Sequence, residues 1–125
     1  MEQASDGKFW CYTEQGIGDV GLSAIGDSVA AAKADLMECY EEARQDAEEN
    51  GKTFPEVEFE YKYDLQSFFN YFSFLNVSDI AKRAGINPSL MRQYSSGVKK
   101  AGEKTYQRLN ACMSNIKADL QAAVF

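Results

Sequence analysis

The chain contains no histidine among its 125 residues. The side chain that titrates nearest neutral pH and the commonest nitrogen ligand for metals are therefore both missing. An enzyme here would have to work with carboxylates, lysine or tyrosine. Cysteine is scarce too. Cys11, Cys39 and Cys112 are an odd number at wide spacings, which reads as reduced thiols in a cytoplasmic protein. Three scattered cysteines without histidine make no zinc site. No run approaches the roughly 18 apolar residues of a membrane span, and Met1-Glu2-Gln3-Ala4-Ser5-Asp6 lacks the apolar stretch of a signal peptide. The expectation moves from catalysis to binding, with no catalytic residue, metal ligand, cofactor or membrane partner.

Hydrophobic residues at 45% and aromatics at 13% are enough to build a core, and the length allows one ordinary domain or two very small ones. The net charge of −6 hides an asymmetry. Residues 1–64 carry 16 acidic and 5 basic side chains, a balance of −11. Residues 65–125 carry 3 acidic (Asp79, Glu103, Asp119) and 8 basic, a balance of +5. Such a split suggests two modules with different partners.

The first half reads as a small α+β unit. Residues 8–14 are rich in aromatics and form a strand. Gly16, Gly18, Gly21 and Gly26 then punctuate a turn, a short strand over 21–25 and a second turn. These glycines make no GxGxxG ahead of a helix, so they do not indicate a phosphate site. Asp27 or Ser28 starts a helix whose apolar face is Val29, Ala32, Leu36, Tyr40, Ala43 and Ala47. Gly51 ends it. Its other face holds Glu41, Glu42, Asp46, Glu48 and Glu49, either an ordinary solvated surface or an attraction for a basic partner. After Pro55, residues 56–63 alternate charged and apolar side chains with period two, which predicts a further strand.

From Leu65 the periodicity turns helical. Leu65, Phe68, Phe69, Phe72 and Leu75 make an aromatic-rich face, and Asn76 caps the next helix with Asp79 reaching back to it. Residues 77–96 then carry a helix-turn-helix pattern. Ala81 is small where two helices cross, Gly85 occupies a tight turn, and Ile80, Ala84, Ile86, Met91 and Tyr94 fill the wedge between them. Asn87 caps the second helix, Pro88 takes its first position, and Gly97 stops it. Some helical pairs use the same pattern only for packing. With Met91 and Tyr94 inward, Ser89, Arg92, Gln93 and Ser96 point outward. Glutamine can pair bidentately with adenine and arginine with guanine. Lys99 and Lys100 follow where phosphates would lie, as Lys82 and Arg83 do on the preceding helix. In the final helix Tyr106, Leu109, Met113, Ile116, Leu120 and Ala123 or Val124 recur at steps of three and four. This seam is expected to pack on the aromatic face at 65–75 and, being long, to pair in part with a second chain.

Taken in order, Ala4-Ser-Asp-Gly7, the strand at 9–14, Gly26-Asp-Ser-Val29 with Ala32, Phe54-Pro-Glu-Val-Glu-Phe-Glu-Tyr61 and Ile86-Asn-Pro-Ser-Leu-Met-Arg-Gln-Tyr94 resemble the HicB-like antitoxins that end in a helix-turn-helix domain. The resemblance covers nearly the whole chain. It implies a partial ribonuclease-H-like fold (strands, helix, strand) over 1–63, without that enzyme's catalytic carboxylates, and an all-α DNA-binding domain over 64–125. It also implies an antitoxin of a type II system: the acidic half masks a small basic toxin that cleaves messenger RNA, and the other half represses the operon as a homodimer or higher oligomer. Members of the family have a strand before the Ala-Ser-Asp-Gly turn. Only Met1-Glu2-Gln3 precede it here, so either that strand is cut short or the sheet edge is short.

Two other readings stand beside this one. A stand-alone helix-turn-helix regulator, with a first half that senses a small molecule or dimerises, would present the same residues. A hydrolase using paired carboxylates such as Glu58 and Glu60 is disfavoured by the missing histidine and the lack of metal-ligand spacing.

Overall fold

Between residues 9 and 12 the side chains alternate between core and solvent, as a strand with one covered face requires. In the structure, a computed structural model describing residues 1–125, this segment is the middle of an antiparallel sheet. The sheet comprises β1 (Glu2–Gln3), β2 (Phe9–Tyr12) and β3 (Ser23–Gly26) in the order β1-β2-β3. Glu2 faces Trp10 across the first pair, and Cys11 faces Ala24 across the second. Phe9, Cys11 and Ala24 are buried, whereas Trp10 (41% exposed) and Tyr12 (48%) lie on the outer face.

The inner face is covered by α1 (Val29–Glu49). Ser28 caps it, its hydroxyl accepting from the Ala31 amide at 3.1 Å. Val29, Ala32, Leu36 and Tyr40 form the buried stripe, joined by Met1, Ile17 and Leu22 in one core. Helix and sheet meet closely at Gly26, where a β-carbon would lie 2.5 Å from the Ala32 nitrogen, so only glycine fits. Asn50 and Gly51, the latter at φ +68°, end the helix.

The expected strand over residues 56–63 does not form; the segment is extended but belongs to no strand of the sheet. The reason lies in its available neighbour. β1 is two residues long, and the backbone bonds beside it come from Met1 and reach only the end of the segment, from the Met1 amino group to the Lys62 carbonyl (2.9 Å) and from the Asp64 amide to the Met1 carbonyl (3.1 Å). The period-two pattern still holds at the level of side chains. Phe59, Tyr61 and Tyr63 are half-buried against the core, and Glu58, Glu60 and Lys62 are exposed.

Side chains, not a ladder, fasten this segment to α1. The Tyr40 hydroxyl donates to the Pro55 carbonyl at 2.7 Å, and the Tyr40 ring meets Phe54 and Phe59 at 5.5 and 5.8 Å between centroids. Two turns earlier, the Lys33 ammonium sits 3.6 Å from the Tyr71 ring centroid, 4.2 Å from that of Tyr61 and 5.2 Å from that of Tyr63.

Tyr71 closes α2 (Leu65–Tyr71), and this helix belongs to the first of two compact units, Met1–Tyr71 and Phe72–Phe125. The sequence-based boundary at 63/64 therefore moves by eight residues. Asp64 explains the shift: one carboxylate oxygen accepts from the Ser67 amide at the start of α2 (2.8 Å), the other from the Gln3 amide in β1 (3.1 Å). From the far end of α2, the Asn70 side chain accepts from the Val29 amide at the start of α1 (3.2 Å).

The second unit is helical: α3 (Val77–Ala84), α4 (Pro88–Ser96) and α5 (Glu103–Ala122). The chain as a whole is α+β, with one three-stranded sheet and five helices. α5 packs on α3, and Leu109 and Cys112 are its buried residues. The expected aromatic partner for it is divided between units, because the helix that starts at Leu65 stops at Tyr71 and buries Leu65 and Phe69 in the first. Of the seam residues, Tyr106, Met113 and Ile116 are half-buried and Leu120 is 68% exposed. No helix is long and apolar enough to cross a membrane.

Candidate nucleic-acid interface

Two short helices and the turn between them make the candidate site, and each residue of the turn has a local cause. Asn76 accepts from the Asp79 amide (2.9 Å) and starts α3. Of the two reciprocal bonds expected at this cap, this one forms. Gly85 ends α3 at φ +73°, a left-handed conformation in which its amide and that of Ile86 satisfy the Lys82 and Ala81 carbonyls (3.3 and 2.8 Å). Asn87 starts α4 by accepting from the Leu90 amide (3.2 Å), and Pro88 follows at a position that has no amide bond to lose. Ile80, Ala81, Ile86 and Met91 are buried between the helices, with Ala84 and Tyr94 half-buried beside them, as the wedge pattern requires.

Burying Met91 fixes the rotation of α4. Ser89, Arg92 and Ser96 then fall on one exposed stripe at steps of three and four residues. Gln93 is half-buried at its edge, and its carbonyl accepts the amides of Val98 and Lys99 (3.0 and 3.2 Å), closing the helix at Gly97 (φ +83°). Lys99 and Lys100 are exposed directly beyond. Of the seven expected contact residues, Ser89, Arg92, Ser96, Lys99 and Lys100 are thus open at one end of the unit. Asn87 is engaged as a cap through its side-chain oxygen, and Gln93 is partly covered.

Lys82 is exposed on α3, but Arg83 is engaged: it pairs with Asp119 of α5 at 2.6 Å. Two further residues support the site without any part in the sequence-based list. Arg108 on α5 donates to the Gly85 carbonyl at 3.3 Å, bracing the turn from behind. Ser78 on α3 accepts a hydrogen bond from Arg92 at 2.8 Å. The signal for Ser78 was present, since it stands three residues before the buried Ala81 and so shares its face. Arg108 gave none, because nothing in a helical repeat tells which turn of a neighbouring helix it covers.

The unit's charge remains +5, because residues 65–71 carry no charged side chain and the balance reckoned from Leu65 transfers to Phe72–Phe125 unchanged. A row of two hydroxyls and one guanidinium, followed by two free ammonium groups, can donate to base edges and phosphate oxygens. In the first unit the acidic side chains of α1 offer the opposite: Glu41 and Glu48 pair with Arg44 (2.9 and 3.5 Å), while Glu42 and Glu49 stand exposed. No group of three or more cysteine or carboxylate side chains is placed to hold a metal ion. No family model, no curated protein and no solved structure matches the chain.

Proposed function

We propose that the chain is a HicB-like antitoxin and autorepressor of a type II toxin–antitoxin system. On this reading α3, the Gly85 turn and α4 are a helix-turn-helix, α4 lies in the major groove of operator DNA, and the acidic first unit masks a small basic, mRNA-cleaving toxin. The first unit would be a partial ribonuclease-H-like fold in which the extended 56–63 segment takes the place of the last strand. The observation that carries the DNA half is the open Ser89–Arg92–Ser96 stripe, followed by Lys99 and Lys100, in a unit that holds all of the chain's excess positive charge. The partner half is supported by the −11 balance of the other unit.

The test has two arms. The full chain is offered a pool of random duplexes, and recovered sequences are titrated at several salt concentrations. Sequence enrichment is expected, with affinity falling steeply as salt rises, by a log–log slope of roughly −0.9 per phosphate neutralised. In the second arm the product of the neighbouring reading frame is co-expressed with the chain. A small basic protein that co-purifies and whose RNA cleavage is blocked supports the antitoxin. Duplex binding without such a partner would make the protein a stand-alone regulator, and binding to neither would overturn the proposal.

A further inference from the structure

Ser78 lies in the first turn of α3 and turns toward α4. Its hydroxyl accepts from one terminal nitrogen of Arg92 at 2.8 Å, and the Ser89 hydroxyl accepts from the other at 3.4 Å. The exposed arginine is thereby tethered at two points, one on each helix. An untethered arginine samples many rotamers and must give up that freedom to read a base. Each terminal nitrogen carries two hydrogens, so a bond to a serine leaves donors of the planar fork for a bidentate acceptor. Guanine presents such an acceptor pair, O6 and N7, in the major groove.

From this geometry we infer that Ser78 is a positioning residue that holds Arg92 in its reading orientation and sets how strictly one guanine is discriminated. The inference rests on the DNA-binding reading above and deepens it, since Ser78 acts through the arginine and not on the duplex. Ser89 does not duplicate this role. Its contact is longer, and it stands on the same helix as Arg92, so it cannot fix the arginine relative to α3.

The experiment uses the full chain and the duplex that it enriches from a random pool, with copies in which each G·C pair in turn is changed to A·T. Wild type, Ser78→Ala, Ser78→Thr, Arg92→Ala and the double alanine variant are compared for the ratio of affinities, matched over changed. Ser78→Ala is expected to lower that ratio at a single G·C pair by about tenfold, a part of what a bidentate contact supplies. Ser78→Thr, which keeps the hydroxyl, restores it. Arg92→Ala removes discrimination at the same pair, and adding Ser78→Ala to it changes nothing more, because the two residues act as one unit. An unchanged ratio in Ser78→Ala, a loss spread over every pair, or an additive loss in the double variant would overturn the inference. Failure of the wild-type chain to enrich any sequence would instead remove the DNA-binding reading, and this inference with it.

Discussion

Lys33 is a cation held among the rings of Tyr61, Tyr63 and Tyr71. Burial works against its charge, but hydrogen bonding and attraction from Tyr63, with Tyr71 beside it, outweigh that, so its pKa lies above the ordinary lysine value. A raised folded-state pKa contributes stability that is fully present below the unfolded value and is lost as pH rises through the folded one. Lys33→Gln is therefore expected to lower the calorimetric unfolding temperature of the first unit by an amount matching roughly 0.5–2 kcal/mol at neutral pH. The difference from wild type should shrink in alkali. Lys33→Arg should retain most of the stability, and equal unfolding temperatures for all three proteins would show the cage to be idle.

The thiols make a second residue-scale case. Cys11 is buried, and burial pushes its pKa up. Cys39 is half-buried and also raised, first by burial and then by Asp35, Glu42 and Glu38 around it. The thiolate is the reactive form, so neither is poised for nucleophilic or redox chemistry. Alkylation of the native protein is expected to be slow at pH 7, to start at Cys39 and to quicken as pH rises. Peptide mass spectrometry after timed quenching reads this directly, and rapid labelling of Cys11 at neutral pH would contradict it.

At the scale of elements, Asp64 carries more than its place in the sequence suggests. It starts α2 with one carboxylate oxygen and holds β1 with the other. Asp64→Ala leaves both amides without an acceptor and is expected to cost about 1–3 kcal/mol of stability in the first unit, measured by denaturant titration. Asp64→Asn should recover the bond at α2, because an amide oxygen also caps, at the expense of part of the bond to β1. If the alanine variant matched wild type, the junction would owe its position to side-chain packing alone.

This junction also shows what the sequence could and could not convey. α1 was legible throughout, because Ser28, the stripe from Val29 to Tyr40 and Gly51 are local signals read along one helix. The α3–α4 turn was legible for the same reason, through Asn76, Gly85, Asn87 and Gly97. Residues 56–63 were misread because alternation reports which side chains are covered and says nothing of whether a neighbouring strand exists to bond. The boundary at 63/64 follows the change in charge and periodicity, whereas α2 groups with the first compact unit, held by contacts of Asp64 and Asn70 with residues more than 40 positions away.

For the molecule as a whole, the last turns of α5 are the surface on which the expected pairing with a second chain is tested. Leu120, Val124 and Phe125 are exposed on or just beyond the last turns, while Leu109 and Cys112 are committed to the core. A symmetric pair joined there would present two copies of α4, as operators with repeated half-sites about 34 Å apart require. Leu120→Glu is expected to yield folded monomers by sedimentation, with weakened binding to any enriched two-fold symmetric duplex. Because Leu120 is exposed, the variant should not disturb folding. If wild type and variant both sediment as dimers, the contact lies on another surface, the outer face of the sheet being the next candidate; a monomeric wild type would remove the pairing.

Trp10, the chain's one tryptophan, lies on that outer face. Its indole is therefore a reporter of one unit only. Light that excites indole selectively follows the melting of Met1–Tyr71 and is blind to Phe72–Phe125, whereas far-ultraviolet dichroism follows the helices of both. Fluorescence and dichroism traces that coincide during denaturation would mean that the two units give way together as one cooperative body. Traces that part would assign each unit its own midpoint and show which of the two the cell loses first on warming.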